Sequence, residues 1–431
     1  MTGPPTTGPL AFFEQVAAAH PRCFWLDGGG ARAWSGRRSI IGWLEEDDVS
    51  LTFDAARRSV IRHEGGTSEV VGDDIFAVLA SEMAAGDPGD QWFGYFGYAC
   101  RTDLPALTPP PAGPTEVPDA VWMRARRVRM FDHPDLVDLG TDTLAKRPAR
   151  PTSSDDDGDG LPEDYALAFE RVQEQLHAGN SYEVNLTYRV ETTSDLAPAA
   201  AYLRLRELNP APYAGFLQHD VTGHEAWLLS SSPERYALVT EDRMLETKPI
   251  KGTTPRGATP DEDAVLRFRL AREPKFRAEN LMIVDLLRND LSMVCEPGSV
   301  AVPGLMEVES YATVHQLVST VRGRLTDGVT TVEALRTLFP AGSMTGAPKL
   351  RTMKIIREVE GTARGAYSGA FGWIAADGRA DLGVIIRSLT TTGDRRYVLG
   401  TGGGITVHSD VAEEYAESRW KAERLRQVFD G

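Results

Sequence analysis

Residues 246–254 read E-T-K-P-I-K-G-T-T, and two residues in this stretch constrain the path of the chain around Lys251. Pro249 has a fixed φ and favours an extended conformation in the residue before it, whereas Gly252 permits a close backbone approach or a positive φ. On these residues alone, two interpretations of Lys251 remain open. It is either a solvated loop lysine, which is the commoner case, or a buried amine that attacks a substrate.

The length and charge of the chain limit its class. It has 431 residues, with 46 Lys and Arg against 62 Asp and Glu, and a formal net charge of −16. This length suffices for two or three domain-sized units or for one large enzyme fold. The acidic balance argues against nucleic acid or an anionic membrane as the main partner, because phosphate binding depends on clustered Lys and Arg. A small anionic substrate needs only one locally positive pocket.

The three cysteines, Cys23, Cys100 and Cys295, are widely spaced and form no C-x-x-C pair. This pattern fits a reducing compartment and excludes a structural zinc site built from cysteines. The N-terminal segment lacks a basic region followed by a long apolar run, and no window approaches 18 consecutive apolar residues. We therefore expect a cytoplasmic protein.

The sequence divides at residues 146–163, an acidic segment that we interpret as a linker or a surface loop. Residues 1–145 read mainly as short strands with one firm helix at 74–83, and W-F-G-Y-F-G-Y (92–98) predicts closely packed strands. In residues 164–431 strands and helices alternate irregularly, and an amphipathic helix is predicted at 164–178. Further predicted elements of this region are helices at 198–208, 279–291, 331–338, 349–359 and 411–429, and a strand at 382–389.

Two predicted helices carry carboxylates. Glu279 shares a face with the apolar residues of helix 279–291, so it is either an inward carboxylate that needs a cation or a helix-start glutamate near the positive end of the dipole. In the last helix, Glu414, Glu417 and Lys421 lie on one face at spacings of three and four. This pattern is commonly an exposed salt-bridge ladder. The alternative is a pair of carboxylates for a hard divalent cation beside an ammonium for a substrate carboxylate.

Two further segments suggest anion binding. Gly402, Gly403 and Gly404 follow a predicted strand, and consecutive glycines let backbone N–H groups approach an anion. A small-residue turn at 340–349 enters a helix, whose N-terminus is another anion site. Arg387 interrupts the apolar strand 382–389, and such an arginine usually meets a carboxylate of the protein or of a ligand.

Eight motifs follow one another in the second half of the chain: S-S-P-E-R-Y (231–236), K-P-I-K-G-T (248–253), A-E-N-L-M-I-V-D-L-L-R-N-D-L (278–291), V-H-Q-L-V-S-T (314–320), F-P-A-G-S-M-T-G-A-P-K (339–349), I-I-R-S-L (385–389), G-T-G-G-G-I (400–405) and E-E-Y-A-E-S-R-W-K (413–421). In this order they resemble the chorismate-utilising enzymes, which include component I of the anthranilate and aminodeoxychorismate synthases. The resemblance implies an α/β (α+β) fold in which two stacked antiparallel sheets are flanked by helices. Both halves of the chain are expected to contribute strands, with residues 164–431 forming the chorismate-binding region.

Within that family Lys251 is the discriminating residue, because anthranilate synthases carry alanine there and P-I-K-G-T resembles the aminodeoxychorismate synthases. The resemblance implies that Lys251 adds to C2 of chorismate while the C4 hydroxyl leaves, and that ammonia then enters at C4 and expels the lysine. An amine can do this only when neutral, so we expect the site to lower the pKa of Lys251 by desolvation or by a nearby positive charge such as Mg²⁺.

The resemblance also implies the other site residues. Glu234 matches the general acid for the departing hydroxyl, and His315 and Thr345 match a catalytic and a substrate-binding position of the pocket. The expected magnesium ligands are Glu279 and Glu417, with Glu414 nearby through water. The expected carboxylate-binding groups are Arg387, Lys421 and the amides of Gly402, Gly403 and Gly404.

One position departs from the family pattern. Isochorismate-forming relatives have a lysine that activates water, and the better-known aminodeoxychorismate synthases have glutamine, where this chain has Glu183 in S-Y-E-V-N-L. The lack of lysine counts against hydrolysis, and the hypothesis for Glu183 is that its carboxylate accepts a proton from incoming ammonium.

The ammonia is expected to come from a separate glutamine amidotransferase subunit or from solution, because none of the cysteines lies in a G-x-C-x-G nucleophile turn. Two alternatives remain beside chorismate amination to 4-amino-4-deoxychorismate. One is anthranilate synthase or another aminating relative. The other is a non-catalytic chorismate-binding regulatory subunit.

Overall fold

Two antiparallel sheets form the framework of the computed structural model, which describes residues 8–30, 38–108, 116–133, 160–311 and 314–430. Numbered along the chain, the strands of these residues are β1 (Arg22–Asp27), β2 (Arg38–Leu44), β3 (Ser50–Asp54), β4 (Ser59–Glu64), β5 (Thr67–Gly72), β6 (Gln91–Phe96), β7 (Ala120–Arg124), β8 (Arg127–Asp132), β9 (Glu183–Thr193), β10 (Tyr213–His219), β11 (Ala226–Ser232), β12 (Arg235–Val239), β13 (Met244–Lys248), β14 (Ile250–Pro255), β15 (Ala301–Ser310), β16 (Val314–Arg324), β17 (Gly346–Ala347), β18 (Ala370–Ala375), β19 (Ala380–Val384), β20 (Ser388–Thr391) and β21 (Arg396–Ile405). The α-helices are α1 (Pro9–Ala19), α2 (Ile75–Ala85), α3 (Glu163–His177), α4 (Pro198–Leu208), α5 (Pro260–Arg272), α6 (Pro274–Ser292), α7 (Thr331–Leu338), α8 (Lys349–Val359) and α9 (Val411–Arg426).

Each sheet combines strands from the first 133 residues with strands that follow residue 160. The nine-stranded sheet has the order β17-β9-β21-β20-β11-β10-β1-β2-β8. The twelve-stranded sheet has the order β14-β16-β13-β12-β19-β18-β6-β7-β3-β4-β5, with β15 paired to β16. Residues 134–159, which include most of the predicted linker, lie outside the described residues, so the division at 146–163 stays a prediction.

Aromatic side chains fill the space on both faces of the central strands. The ring of Phe24 in β1 stacks on that of Phe93 in β6, with centroids 3.9 Å apart, and joins the two sheets. The next residue, Trp25, faces the other way and packs on Phe13 of α1 and Tyr202 of α4. Because successive side chains of a strand point to opposite faces, one apolar run serves both interfaces.

Helices cover the outer face of each sheet. Apolar residues of α2, α6 and α7 pack on the twelve-stranded sheet, and those of α1, α4 and the end of α9 pack on the nine-stranded sheet. The glycine–aromatic alternation in β6 has the predicted cause, since a β-carbon at Gly94 would overlap the carbonyl oxygen of Val121 in β7. The predicted fold class, two stacked antiparallel sheets flanked by helices, is confirmed.

Most predicted elements of the second half are present, with some differences. The predicted strand 382–389 is wrong: β19 ends at Val384 and β20 begins at Ser388. Helices α1 and α5 were not predicted, although Thr259 caps α5 by accepting the N–H of Glu262 and Pro260 starts it, as expected for a helix N-terminus. Among the helices of the described residues, none has the length and apolar character to cross a membrane.

Two buried histidines, His63 on β4 and His219 on β10, lie with their ring centroids 5.3 Å apart. His63 shares hydrogen bonds with Thr52 Oγ1 at 2.9 Å and Ser68 Oγ at 2.8 Å. His219 contacts Ser50 Oγ at 3.0 Å and the carbonyl oxygen of His224 at 2.9 Å. Burial lowers the pKa of His63 to about 4 and that of His219 to about 3. Both imidazoles are therefore neutral in the folded protein at neutral pH.

We predict that these histidines make the fold sensitive to acid. An unfolded histidine binds a proton near pH 6.5, so the stabilising contribution is complete above that pH and is lost as the pH falls towards the folded pKa. Between pH 7 and pH 5, His219→Gln should lose about 2 kcal/mol less unfolding free energy than the wild type, measured by urea denaturation. The exposed His408 provides the control substitution His408→Gln. Equal losses in the wild type and in both variants would contradict the prediction.

Candidate active site

A cavity of about 150 Å³ lies where β14 and β16 of the larger sheet approach β9 and β21 of the smaller one, between α6 and α9. Eight of the twelve residues predicted for the site line this cavity: Lys251, Glu279, Arg387, Gly402, Gly404, Glu414, Glu417 and Lys421. The elements that supply them are far apart in sequence, so the sheets bring together what the motifs placed separately. Glu234, His315, Thr345 and Gly403 are not among the lining residues, and each is described below.

Lys251 is buried on β14 and pairs with a carboxylate from the other sheet. Its Nζ atom donates a short hydrogen bond to Oε1 of Glu183 on β9, whose side chain is completely buried. Burial acts to lower the pKa of Lys251, but the carboxylates of Glu183 and Glu279 outweigh it and raise the pKa above its ordinary value. Desolvation therefore does not lower this pKa as expected, and the lysine beside these carboxylates is an ammonium; the expected effect of Mg²⁺ on this pKa stays a prediction.

Three consecutive glycines of β21 lie beside β9, and one of them has a steric role that was not predicted from the sequence. Gly402, Gly403 and Gly404 belong to the strand itself and pair with Thr187, Leu186 and Asn185 of β9. A β-carbon at Gly404 would overlap Oε1 of Glu183 and come within 3.0 Å of Nζ of Lys251. The lack of a side chain at Gly404 therefore leaves the space that the buried ion pair occupies.

Glu234 lies just behind the cavity, after the end of β11. It lines a smaller neighbouring cavity, and Ser343 lies between the two because it lines both. Ser343 Oγ donates a 2.6 Å hydrogen bond to Oε1 of Glu234. Burial raises the pKa of Glu234 to about 7, against the opposing effects of Ser343 and Lys251. A carboxylic acid with this pKa is partly protonated at neutral pH, as a general acid must be. Ser343 was not singled out from the sequence.

The predicted metal ligands surround the cavity and already contact lysines. Lys275 Nζ lies 3.1 Å from Oε1 of Glu414, and Lys421 Nζ lies 2.8 Å from Oε1 of Glu417. The predicted salt-bridge ladder on α9 is thus present in part, but inside the site. Glu279 lies in the second turn of α6, which begins at Pro274, so the helix-start interpretation is wrong.

Glu279 is the carboxylate whose surroundings best fit a ligand of a cation. Its Oε1 atom is buried and has no hydrogen-bond partner among the described residues. The pKa of Glu279 is raised to about 7, mainly by burial. The carboxylates of Glu183 and Glu414 add to this shift, and Lys251 and Lys275 oppose it. In the part of the chain that the structure describes, no three His, Cys, Asp or Glu residues are already grouped as a metal site. The carboxylate donors and the unpartnered oxygen nevertheless suit a hard divalent cation.

Arg387 supplies a positive charge to the cavity from the connection between β19 and β20. Its φ of +50° is in the left-handed region, an uncommon conformation for a residue other than glycine that concentrates at functional sites. Burial lowers its pKa to about 10, so the guanidinium remains charged at neutral pH. Within the described residues its side chain has no ion-pair partner, which favours a carboxylate of a ligand over one of the protein.

His315 and Thr345 are not brought to the cavity. The ring of His315 contacts Ser310 Oγ at 2.8 Å and Asp263 Oδ1 at 3.1 Å, away from the cavity, because alternate residues of β16 face opposite sides. Its neighbour Gln316 lines the cavity instead, and Oε1 of Gln316 is buried without a partner in the described residues. Thr345 Oγ1 donates to the carbonyl oxygen of Gly342 at 3.2 Å. The structure therefore gives no support to a catalytic His315 or a substrate-binding Thr345.

A buried arginine outside the predicted set holds the walls of the cavity. Arg364 donates to the carbonyl oxygens of Met344 at 2.6 Å and Asn185 at 2.8 Å, and both of these residues line the cavity. Its charge is balanced by Glu360 at 2.8 Å, and both side chains are almost fully buried. No motif signalled Arg364, because its role depends on contacts with two distant elements.

Comparisons with known proteins agree with this arrangement. The family described as "chorismate binding enzyme" matches residues 22–427. An aminodeoxychorismate synthase of Streptomyces pristinaespiralis is 39% identical over 98% of this chain and 64% of its own length. Aminodeoxychorismate synthase component 1 of Klebsiella aerogenes is 44% identical over 61% of this chain and 57% of its own length. The chain thus spans less than two thirds of either relative.

The fold is also similar to that of a solved structure. The crystal structure of anthranilate synthase component I from Streptococcus pneumoniae superimposes with a TM-score of 0.72 over 91% of this chain and 93% of its own, at 25% sequence identity. The family match covers nearly all of the described residues, including every element that lines the cavity. The chain therefore belongs to the chorismate-binding enzyme family.

Proposed function

We propose that this chain aminates chorismate to 4-amino-4-deoxychorismate, as component I of an aminodeoxychorismate synthase. The observation that carries the proposal is Lys251, a buried lysine that lines the cavity and pairs with the carboxylate of Glu183. Arg387, which has no ion-pair partner among the described residues, lines the same cavity. The P-I-K-G-T sequence around it and the names of the S. pristinaespiralis and K. aerogenes relatives support the same reaction. The product would be used to make p-aminobenzoate, as a precursor of folate or of a secondary metabolite.

The cationic groups of the cavity suit the two carboxylates of chorismate. The guanidinium of Arg387 is free to form a bidentate pair with one of them. Lys421 reaches the cavity from α9, where its Nζ atom contacts Glu417 and lies 3.1 Å from the carbonyl oxygen of Gly402. Gln316 adds an unpartnered amide oxygen that can accept a hydrogen bond from a substrate hydroxyl.

Glu279 and Glu417 would hold Mg²⁺, with Glu414 contributing through water. When bound, Mg²⁺ would offset the carboxylate charges and withdraw electron density from the ring through the C1 carboxylate. The chain's own preparation for the ion is the buried, unpartnered oxygen of Glu279. Lys275 and Lys421 offset the charges of Glu414 and Glu417 in its absence.

The reaction would be divided between two side chains on either side of the ring. Glu234 donates its proton to the C4 hydroxyl, which leaves as water, while the neutral amine of Lys251 adds to C2. Ammonia then adds to C4, the bond between C2 and Lys251 breaks, and the enolpyruvyl group is retained. Ser343 holds the Glu234 carboxyl in place through its hydrogen bond.

The ammonia would come from a glutamine amidotransferase subunit. The name "component 1" of the K. aerogenes relative implies a second component for that protein. In this chain all three cysteines are buried and free, and burial raises the pKa of each thiol, so none of them is poised as a glutaminase nucleophile.

We predict that the chain, incubated with chorismate, Mg²⁺ and ammonium, forms 4-amino-4-deoxychorismate, detected as p-aminobenzoate after a lyase is added. Intact-mass spectrometry should detect a covalent adduct in the wild type, because Lys251 bonds to the ring as water leaves. Lys251→Ala should lose the adduct and reduce turnover by at least about 10²-fold. The exposed Lys354 gives the matched control Lys354→Ala.

The alternative products give distinct outcomes. Fluorescent anthranilate released without a lyase would replace the proposal by anthranilate synthase activity. Chorismate binding without any turnover, in the presence of Mg²⁺ and ammonium, would indicate a regulatory subunit.

We also predict that turnover falls as the pH rises above about 7, because Glu234 must be protonated and its pKa is about 7. The hydrogen bond from Ser343 stabilises the charged carboxylate, so Ser343→Ala should raise this pKa and move the alkaline limb upwards by about one unit. A hydrogen bond to a charged group contributes about 1.5 kcal/mol, and one pKa unit corresponds to about 1.4 kcal/mol. Profiles of kcat against pH test this, with the exposed Ser292→Ala as control. An alkaline limb that stays in place or moves down would contradict the assignment.

A further inference from the structure

We propose that Glu183 is the base that takes the proton from Lys251, so that the neutral amine forms inside the closed site. This inference rests on the proposed function, because it concerns the step in which Lys251 attacks the ring. It replaces the hypothesis that Glu183 acts on incoming ammonium. The geometry assigns Glu183 to the lysine instead.

The contacts of the two groups are mutual. Glu183 Oε1 accepts a hydrogen bond from Nζ of Lys251, and this lysine is the hydrogen-bond donor that the described residues offer to the carboxylate. Oε2 of Glu183 is buried and without a partner among them. Among the described residues, the carboxylate therefore has one oxygen without a partner and no second cation in contact. Transfer of a proton from Lys251 to Glu183 neutralises both groups at once, so neither is left as an unpaired charge in the interior.

The other carboxylates near Lys251 are not placed for this transfer. Glu234 is hydrogen-bonded to Ser343, and burial raises its pKa to about 7, so it is partly protonated at neutral pH and suits the leaving hydroxyl as an acid. Glu279 influences Lys251 through its charge but forms no hydrogen bond with it in the described residues. Glu183 is thus the carboxylate in contact with the proton to be removed.

Backbone contacts fix Glu183 at this position. It is the first residue of β9 and pairs with Ala347 of β17, and its carbonyl oxygen accepts a 2.8 Å hydrogen bond from Ser181 Oγ. Gly404, on the neighbouring strand β21, leaves space for the carboxylate at Lys251. The pair is therefore held by four strands, β9, β14, β17 and β21, and it does not depend on a flexible side chain reaching across solvent.

Each proton moved in the full reaction has a donor and an acceptor. An N–H bond of the Lys251 ammonium breaks and an O–H bond forms on Glu183, which leaves a neutral amine and a carboxylic acid. The amine forms the bond to C2 as the C4–O bond breaks, and the proton of Glu234 leaves in water. When ammonia adds to C4, the bond to C2 breaks and Lys251 departs as a neutral amine. Glu183 then returns its proton to Lys251, and the ammonium group formed at C4 by the addition of ammonia loses one proton to Glu234, which leaves the 4-amino group and restores the acid.

The test compares the rate of adduct formation in wild type and in Glu183→Gln, measured by rapid quenching and intact-mass spectrometry at pH 7 with chorismate and Mg²⁺. We expect the variant to form the adduct at least about 10²-fold more slowly, as for loss of a general base. A carboxylate that only holds the lysine as an ammonium predicts the opposite. Its removal would then leave more neutral amine, and adduct formation would be unchanged or faster.

Glu191→Gln, an exposed substitution on the same strand, is the matched control and should react as the wild type does. Chorismate affinity and the melting temperature of each variant separate a lost base from a damaged fold. A second variant, Glu183→Ala, leaves space beside Lys251, and added formate should restore adduct formation in proportion to its concentration. Failure of formate to increase the rate in a folded, chorismate-binding Glu183→Ala variant would overturn the proposal.

The outcomes also separate this inference from the proposed function. If the wild type forms no adduct and no 4-amino-4-deoxychorismate, the proposed function fails and the role of Glu183 fails with it. If the wild type forms both and Glu183→Gln forms the adduct at the wild-type rate, the function stands and Glu183 is not the base.

Discussion

The contact between Lys251 and Glu183 joins the two sheets at the cavity, and much of the surrounding structure follows from the need to bury it. A buried ammonium is stable only beside a compensating charge, and a buried carboxylate has the same requirement. β14 supplies the lysine and β9 the glutamate, from different sheets. Gly404 is small because a side chain there would take the space of the pair.

The remaining charges of the cavity follow from the same constraint. Glu279, Glu414 and Glu417 bring negative charge that Lys275 and Lys421 offset only in part, since one oxygen of Glu279 has no partner in the described residues. Arg387 brings a positive charge to the same cavity and has no ion-pair partner within the part of the chain that the structure describes. A site with both an uncompensated anion and an uncompensated cation suits a dicarboxylate that binds together with a metal ion.

Much of the fold and of the site composition could be predicted from the sequence. The apolar runs that contain Phe24 and Phe93 indicate strands covered on both faces, which is what two stacked sheets and outer helices require. The motifs identified most residues that line the cavity. These predictions succeed because strand alternation and motif identity are local properties, legible within a few residues.

The predictions that failed concern properties that arise between distant elements. The pKa of Lys251 depends on Glu183, which is 68 residues away in the sequence, and that contact raises the pKa that was expected to fall. The orientation of β16 determines that Gln316 faces the cavity and His315 does not. Arg387 was placed in a strand because its apolar neighbours continue the pattern, whereas the chain turns there with a left-handed backbone. The sequence pattern does not identify the packing partner of a side chain. It also does not show which residues of a strand buried on both faces point to the cavity.

The two carboxylates nearest the reacting groups have opposite tasks, and their surroundings differ accordingly. In the proposed reaction Glu234 must hold a proton until the C4 hydroxyl leaves. Its carboxyl group is buried, accepts hydrogen bonds from the hydroxyl of Ser343 and the backbone N–H of Ile250, and has no cation in hydrogen-bond contact among the described residues. In the same proposal Glu183 accepts a proton, and it lies in hydrogen-bond contact with Nζ of Lys251. The proposed reaction needs an acid and a neutral amine at the same time. Glu234 would donate its proton to the leaving oxygen, and Lys251 would donate a proton to Glu183. Under the proposed mechanism the proton of Lys251 passes to Glu183 and that of Glu234 to the leaving oxygen, so neither transfer requires water from outside the cavity.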